Sequence, residues 1–262
     1  MKHDYLPQTL AFTLIVFVLF GKPCLLAQSA IPDVVISTDR PSVANSSFVV
    51  PRGYFQAEDG WRVTNANGQS VVDLPETNLR FGWLDKNEFR FEVPDYFQSL
   101  SGTSVSGFGD LAIGVKHQLG PIPENFNLAV IAFVSFPTGA KNISSHGYDP
   151  GLQLPWALPL SKNWTTSGQT AFYWPTAGAT RNFTGETTFV LDRQLSKPWD
   201  TFVEYAGDFS EKTGSRQILH IGSSYKLTPR QQVDFQFAAG LSHAAPHVFF
   251  GVGYSFLLHI FK

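Results

Sequence analysis

The sequence predicts an all-β chain that folds into a transmembrane, antiparallel, up-and-down β-barrel of about twelve strands. Three observations predict this fold. An apolar leader opens the chain, short segments with a period of two recur along the rest of it, and the connections between them alternate between long and short. No segment is continuously apolar over the ~20 residues that a membrane-spanning helix needs, so the strands are the elements expected to cross the membrane.

Residues 1–27 are predicted to be a signal peptide. Lys2 gives the leader a basic start, residues 10–20 are apolar and uncharged, and cleavage is expected after Ala27, with Ala30 as an alternative site. Cys24 is the one cysteine of the chain and would leave with the leader, so disulfides and thiol chemistry are excluded for the mature protein. Residues 28–52 are predicted to form a periplasmic N-terminal segment, and residues 53–262 the outer-membrane barrel.

The charge of the mature chain argues against nucleic acid as a partner. Removal of the leader takes away Lys2, Lys22 and Asp4 and changes the formal net charge from −2 to −3. Aromatic residues make up 15% of the chain, with 24 phenylalanines, although apolar and polar residues are mixed throughout. A barrel wall has this composition because residues that face lipid alternate with residues that face the lumen.

The alternation is clearest in a hairpin at residues 76–93. Two short segments, 76–83 and 88–93, each place apolar and aromatic residues on one face and charged or small residues on the other, and residues 84–87 form the turn between them. The same pattern recurs at residues 55–64, although Asp59 does not fit it. Further strands are predicted at residues 110–118, 126–136, 151–160, 164–174, 182–192, 199–207, 217–227, 232–237 and 248–256.

The lengths of the connections are an independent indication of a barrel. Those at 65–75, 94–107 and 137–150 are long, whereas each is followed by a shorter one, at 84–87, 119–125 and 161–163. Outer-membrane barrels have short periplasmic turns and longer outer loops, which a soluble β-sandwich has no reason to keep in order. We expect 94–107 and 137–150 to be outer specificity loops. Trp61, Trp83, Trp164 and Trp199 are expected near strand ends, where interfacial aromatic residues lie.

Several phrases, in order and at consistent spacing, resemble one family, the outer-membrane proteins labelled for a meta-pathway of phenol degradation. They include Ile36-Ser37-Thr38-Asp39-Arg40-Pro41, Val49 to Glu58, Gly107-Phe108-Gly109-Asp110-Leu111 and Phe136-Pro137-Thr138-Gly139. The resemblance spans most of the mature chain and implies a transporter-like barrel. It carries over no catalytic or binding residue. The chain departs from the usual barrel ending, because Phe256 is followed by six more residues, so either the last strand extends or assembly is signalled less strongly.

Charged residues on the polar faces of the strands are the candidate lumen lining. They either line a solute path or pair with one another across a narrow lumen, and one arrangement does not exclude the other. The candidates are Glu58, Arg62, Glu76, Arg80, Arg90, Glu92, Asp110, Lys116, Glu204 and Asp234.

Asp39 and Arg40 precede the first strand and are the candidate residues at the periplasmic mouth. They would either plug or gate that mouth, or close the end of the barrel by hydrogen bonding to turns.

The sequence predicts no enzyme, metal or cofactor. The histidines have no paired metal-ligand spacing on one strand; His243 and His247 flank a loop, where a surface position is the more common arrangement. His220 and Ser224 share one strand face but lie roughly 13 Å apart, too far for a nucleophile and its base.

The function predicted is therefore that of an outer-membrane channel or transporter, in a Gram-negative bacterium, for small solutes of hydrophobic or aromatic character. Two alternatives remain open: a non-conducting structural barrel and a periplasmic β-sandwich binding module. The partners expected are outer-membrane lipids, a small-molecule solute and the barrel assembly machinery.

Overall fold

The computed structural model describes residues 34–101, 106–210 and 212–261. The predicted signal peptide lies outside these residues. No helix among them is long and apolar enough to cross a membrane. The strands are β1 (Tyr54–Ala66), β2 (Gln69–Leu74), β3 (Asn78–Leu84), β4 (Asn87–Glu92), β5 (Tyr96–Ser99), β6 (Ser106–Phe108), β7 (Leu111–Gln118), β8 (Asn127–Phe136), β9 (Asp149–Pro159), β10 (Trp164–Tyr173), β11 (Thr176–Ala177), β12 (Thr180–Arg181), β13 (Thr184–Ser196), β14 (Trp199–Ser210), β15 (Gly214–Thr228), β16 (Gln231–Gly240) and β17 (Val248–His259).

The main sheet closes on itself as a barrel. It has fifteen strands, of which β2, β5 and β6 form an arm attached to β1, so that twelve strands make the wall. The wall closes where β17 pairs with β1 in antiparallel register, from Tyr54↔His259 to Asn65↔Val248. Neighbouring wall strands are consecutive along the chain, which confirms the predicted up-and-down barrel. Closure removes the free edges that an open sheet would expose.

The two ends of the barrel differ in their connections. The short-turn end carries the connections 85–86, 119–126, 160–163, 197–198 and 229–230, together with the start of β1 and the end of β17. The long-loop end carries the arm and the connections 137–148, 174–183 and 241–247. The connection between β14 and β15 at this end is short, because β14 extends to Ser210 and β15 begins at Gly214.

Two of the predicted long loops contain strands. Strand β2 lies within 65–75, and β5 and β6 lie within 94–107. β3 pairs with β1 only from Phe55 to Glu58, and β2 takes over the free edge of β1 from Arg62 to Ala66. Strands β5 and β6 have too few residues to show a period of two, and in β2 the adjacent Val71 and Val72 break that period. The last strand extends to His259, which was one of the two endings considered from the sequence.

The outer face of the wall is apolar. Its exposed side chains include Val115, Phe189, Val203, Leu219, Ile221, Val233, Phe235, Phe237, Phe250, Val252 and Leu258. This is the band expected to contact lipid. Trp83, Trp164 and Trp199 lie at strand ends by the short turns, as predicted. Trp61 does not, because β1 continues beyond it to Ala66 and its ring packs edge-on against Phe250.

The outward position of Phe235, in the middle of β16, predicts a strong dependence on depth for charge substitutions. Phe235→Lys should destabilise the barrel by about 2–4 kcal/mol, because it places a charge near the middle of the bilayer. Leu195→Lys, at the short-turn end of β13, should cost about 0–1 kcal/mol. Urea unfolding of the protein refolded in phospholipid vesicles measures both. Equal costs at the two depths would contradict the assignment of the lipid-facing surface.

Candidate functional site

The segment before β1 lies inside the barrel. The amide of Ile36 donates to a carbonyl of the β15–β16 turn at 2.8 Å, that of Ala44 to Glu204 on β14 at 2.9 Å, and that of Val50 to Glu88 on β4 at 2.6 Å. Strands β4 and β14 are on opposite sides of the wall. Ile36, Ala44 and Val50 are almost fully buried. Residues 35–52, called the plug segment below, therefore cross the lumen.

The plug segment belongs to the stretch that the sequence predicted as a periplasmic N-terminal segment. The predicted segment was 28–52, and the structure seats its described part among inward-facing wall side chains. The physical reason is that a stretch without regular secondary structure leaves its backbone amides unpaired, and the wall supplies carboxylates and glutamine side chains that accept from them.

A charged belt of wall residues faces one side of the plug segment. Arg80 on β3 binds Glu58 on β1 at 2.8 Å and Glu88 on β4 through two nitrogens, each at 2.9 Å. Arg90 contacts the same Glu88 at 3.1 Å. Lys116 on β7 lies 3.7 Å from it. All five side chains are buried, and the alternation of the strands explains why they point inward together.

Asp39 of the plug segment completes this belt. The belt alone has three cations against two carboxylates, and Arg80 lies directly opposite Arg90 in the β3–β4 register. The Asp39 carboxylate binds Arg90 at 2.5 Å and Lys116 at 3.3 Å. Burial would raise the pKa of Asp39, but the charges of Arg80, Arg90 and Lys116 outweigh it and hold that pKa far below its usual value.

Arg40 occupies a second ionic cluster, next to the seam between β1 and β17. Its guanidinium binds Glu76 at 2.6 Å and Asp234 at 3.3 Å. It lies against Gly60 and Gly253, which pair directly across the seam. A Cβ at Gly60 would stand 2.2 Å from a guanidinium nitrogen, and one at Gly253 2.4 Å from Nε. The absence of side chains at these two positions makes the space for Arg40.

A third anchor lies on the opposite wall. Glu204 accepts hydrogen bonds from the amides of Val43 and Ala44, both at 2.9 Å, and its other contact is His220 Nδ1 at 2.7 Å. His220 is fully buried between the rings of Phe202 and Phe249. The histidine therefore positions a carboxylate that holds the plug segment.

The structure brings together most of the candidate lining residues, but not all of them. Arg62 binds Asp73 and Glu76, which extends the Arg40 cluster towards the arm. Glu76 comes from the β2–β3 connection rather than from a strand. Glu92 faces inward, beyond the belt, and is exposed.

Asp110 does not join the other candidates. It precedes β7 at the long-loop end and accepts hydrogen bonds from the amides of Gly139 and Ser145 and from the hydroxyl of Ser144. Burial would raise the pKa of Asp110, but these hydrogen bonds outweigh it and lower that pKa. Asp110 therefore organises the outer loop 137–148.

Sequence reasoning did not select several residues that contact the plug segment. Glu88 was placed on the polar face of its strand but was not among the candidates. Gln153 and Gln169 lie on β9 and β10, where the alternation is irregular, and both accept hydrogen bonds from Asn45. An uncharged residue on a strand with irregular alternation gives little sequence signal. Of these three residues, only Glu88 could therefore have been selected from the sequence.

Two cavities lie on either side of the plug segment. One, of about 310 Å³, is at the long-loop end, between side chains that include Phe133, Tyr173 and Glu186. The other, of about 400 Å³, lies towards the short-turn end, between the plug segment and wall residues that include Phe202 and Lys226. The plug segment therefore does not fill the lumen.

Solved structures share this architecture. An outer membrane channel from Pseudomonas putida F1 superposes with a TM-score of 0.63 at 13% identity, covering 88% of this chain and 100% of that one. The NanC porin gives 0.55 at 9% identity, covering 77% and 98%, and the KdgM porin 0.52 at 9% identity, covering 77% and 99%. No curated protein sequence matches the chain.

These likenesses establish the fold, which is that of Gram-negative outer-membrane channels and porins. The family described as "Putative MetA-pathway of phenol degradation" matches residues 38–258. The chain belongs to that family.

Proposed function

We propose that the barrel conducts small solutes of hydrophobic or aromatic character across the outer membrane, and that the plug segment closes this path. The observation that carries the proposal is the course of the plug segment, which crosses the lumen from Glu204 to Glu88 and has cavities of about 310 and 400 Å³ towards the two ends of the barrel. Movement of one short segment would join them. The plug segment has no regular secondary structure, so its displacement would leave the wall strands paired.

The alternatives from the sequence differ in what the structure offers them. Closure of β17 on β1 contradicts the β-sandwich module. A non-conducting structural barrel is favoured by one observation, the pairing of the belt cations with Asp39 and Glu88, which would hold a permanent plug equally well. Conduction by a barrel without its plug segment distinguishes a plugged channel from a non-conducting structural barrel.

The remaining assignments follow from the proposed role. The barrel acts as a passage and not as an enzyme, the apolar outer face contacts outer-membrane lipid, and the barrel assembly machinery inserts it. Within the lumen, Glu58, Arg80, Arg90, Lys116, Glu204 and Asp234 would line the path once the plug segment leaves.

Deletion of residues 35–50 should turn a largely silent barrel into one with steady conductance. The deletion removes the segment that crosses the lumen and leaves Tyr54, the start of β1, in place. Single-channel recording in planar bilayers, with and without small aromatic solutes, measures the effect. The circular dichroism of the refolded variant must match that of the wild type, as a control for folding. A folded variant that stays silent would support the structural barrel instead.

Asp39→Asn should open the barrel without a deletion. The change leaves Arg90 and Lys116 facing a neutral group, and the loss of a buried ionic partner costs about 3 kcal/mol, or roughly a hundredfold in the ratio of open to closed states. The frequency of opening events in planar bilayers reports this ratio. Asp85→Asn, the same change in an exposed turn, is the matched control and should have no effect.

The effect of Asp39→Asn should also depend on pH in a defined direction. The pKa of Asp39 is lowered in the closed state, so its stabilisation is complete above its ordinary pKa, about 3.9, and is lost as the pH falls towards the lower value. The ratio of opening frequencies between variant and wild type should be the same at pH 7 and pH 5 and should shrink below about pH 4. A ratio that falls between pH 7 and pH 5 would show that another group holds the plug.

A further inference from the structure

We propose that the cavity at the long-loop end is a binding site for a small solute with one apolar ring and a hydrogen-bond donor, and that its occupation loosens the plug segment. This inference extends the proposed function and rests on it, because release of the plug segment opens a path only in a barrel that conducts. Two independent features carry the inference: the walls of the cavity and a hydrogen-bonded relay from its floor to Asn45.

The walls of the cavity suit a flat apolar ring. Phe133, Pro150, Trp174 and Pro175 line it, together with the ring of Tyr173, whose centroid is 6.0 Å from that of Phe133. The Phe133 ring lies across Gly151, where a Cβ would stand 2.2 Å from Cζ. A cavity of about 150 Å³ accepts benzene, so a volume of about 310 Å³ holds one substituted ring.

The floor of the cavity supplies an acceptor. The Glu186 carboxylate accepts from the Tyr173 hydroxyl at 3.3 Å and from the Gln169 amide at 2.9 Å, both at Oε1. The nearby Arg216 pairs with Asp208 instead. The bond from Tyr173 is long for an O–H···O contact, so a hydroxyl or amino group on a bound ring can compete for this oxygen.

Two glutamine side chains connect this floor to the plug segment. The carbonyl oxygens of Gln153 and Gln169 accept from the Asn45 side chain at 3.1 and 2.9 Å. Their amide nitrogens point the other way, that of Gln153 to the Tyr173 hydroxyl at 3.2 Å and that of Gln169 to Glu186. Each amide thus has one end on the plug segment and the other on the floor.

The burial of both glutamines makes this connection rigid. Gln153 is 8% exposed and Gln169 1% exposed, so an amide group that loses its partner is costly and the side chain must shift to find another. A solute that binds Glu186 displaces the donors of Tyr173 and Gln169. The resulting shift weakens the two bonds to Asn45, and those bonds help to hold the plug segment across the lumen.

A thiol in the plug segment tests the coupling. Ser47 is 2% exposed and its hydroxyl has no hydrogen-bond partner, so Ser47→Cys is a nearly isosteric reporter. It is placed in a chain with Cys24→Ser, which removes the native cysteine. Saturating phenol should raise the rate of maleimide labelling about fivefold or more, the lower range of allosteric coupling. Toluene, which has the ring but no donor, should leave the rate unchanged.

Variants separate binding from coupling. The double change Gln153→Met and Gln169→Met cuts the relay and replaces no residue that lines the cavity, so labelling should be fast without phenol and should change less than about twofold with it.

Phe133→Ala should weaken phenol binding, measured by equilibrium dialysis, by about tenfold. Phe136→Ala, on the outer face of the same strand, is the matched control. Tyr173→Phe keeps the ring and supplies a second test if Phe133→Ala does not fold: it should reduce the response of labelling to phenol.

Three results would overturn the inference: a labelling rate that phenol does not change, equal phenol affinities in the Phe133→Ala and Phe136→Ala variants, or a full phenol response in the double glutamine variant. None of these measurements uses conductance. Silence of a folded barrel lacking its plug segment would therefore contradict the proposed function alone, and failure of the labelling response would contradict this inference alone.

Discussion

The plug segment is held in the lumen by its backbone amides, which donate to buried carboxylates of the wall. Glu58 accepts from the amides of Asp39 and Arg40, Glu204 from those of Val43 and Ala44, and Glu88 from that of Val50. A buried carboxylate without partners is costly, and so is a buried amide. The wall therefore supplies acceptors for the amides of the plug segment, and the plug segment supplies donors for the carboxylates of the wall. These bonds hold an irregular segment against a regular wall.

The ionic groups follow the same logic. The belt formed by Glu58, Arg80, Glu88, Arg90 and Lys116 has one cation in excess until Asp39 supplies the third carboxylate. At the seam the sign is reversed, and Arg40 supplies the cation for Glu76 and Asp234. Asp39 and Arg40 are adjacent and opposite in charge, and each supplies the charge that its own cluster lacks. If the segment leaves, water must take over these contacts, so opening is possible only where water can enter, which the cavities on both sides allow.

The wall could be predicted from the sequence because the direction in which each wall residue points depends only on its position within its own strand. Each wall residue faces lipid or lumen, so a period of two appears directly in segments such as β3 and β4, and the loops differ in length because the two ends of the barrel differ. The arm strands β5 and β6 escaped prediction because they are short, and β2 because its adjacent Val71 and Val72 break the period of two. Asp59 broke the pattern because, although it points outward, its carboxylate accepts a hydrogen bond from Thr77.

The position of the plug segment could not be predicted in the same way. Its contacts join residues far apart in sequence, as between Ala44 and Glu204, and residues 35–52 have no periodicity of their own. Asp39 and Arg40 drew attention as a charged pair before the first strand, but their partners on β1, β4, β7 and β16 are set by the closure of the barrel. Gln153 and Gln169 are uncharged, so the sequence did not indicate that they contact the plug segment.

Amide hydrogen exchange tests the central claim, that the plug segment is hydrogen-bonded within the lumen, most directly. In the protein refolded in detergent, the account predicts that the amides of Asp39, Val43, Ala44 and Val50 exchange far more slowly than those of an unstructured chain, because each donates to a buried carboxylate. Exchange of these amides at the rate of a free peptide, with the wall strands protected, would contradict it.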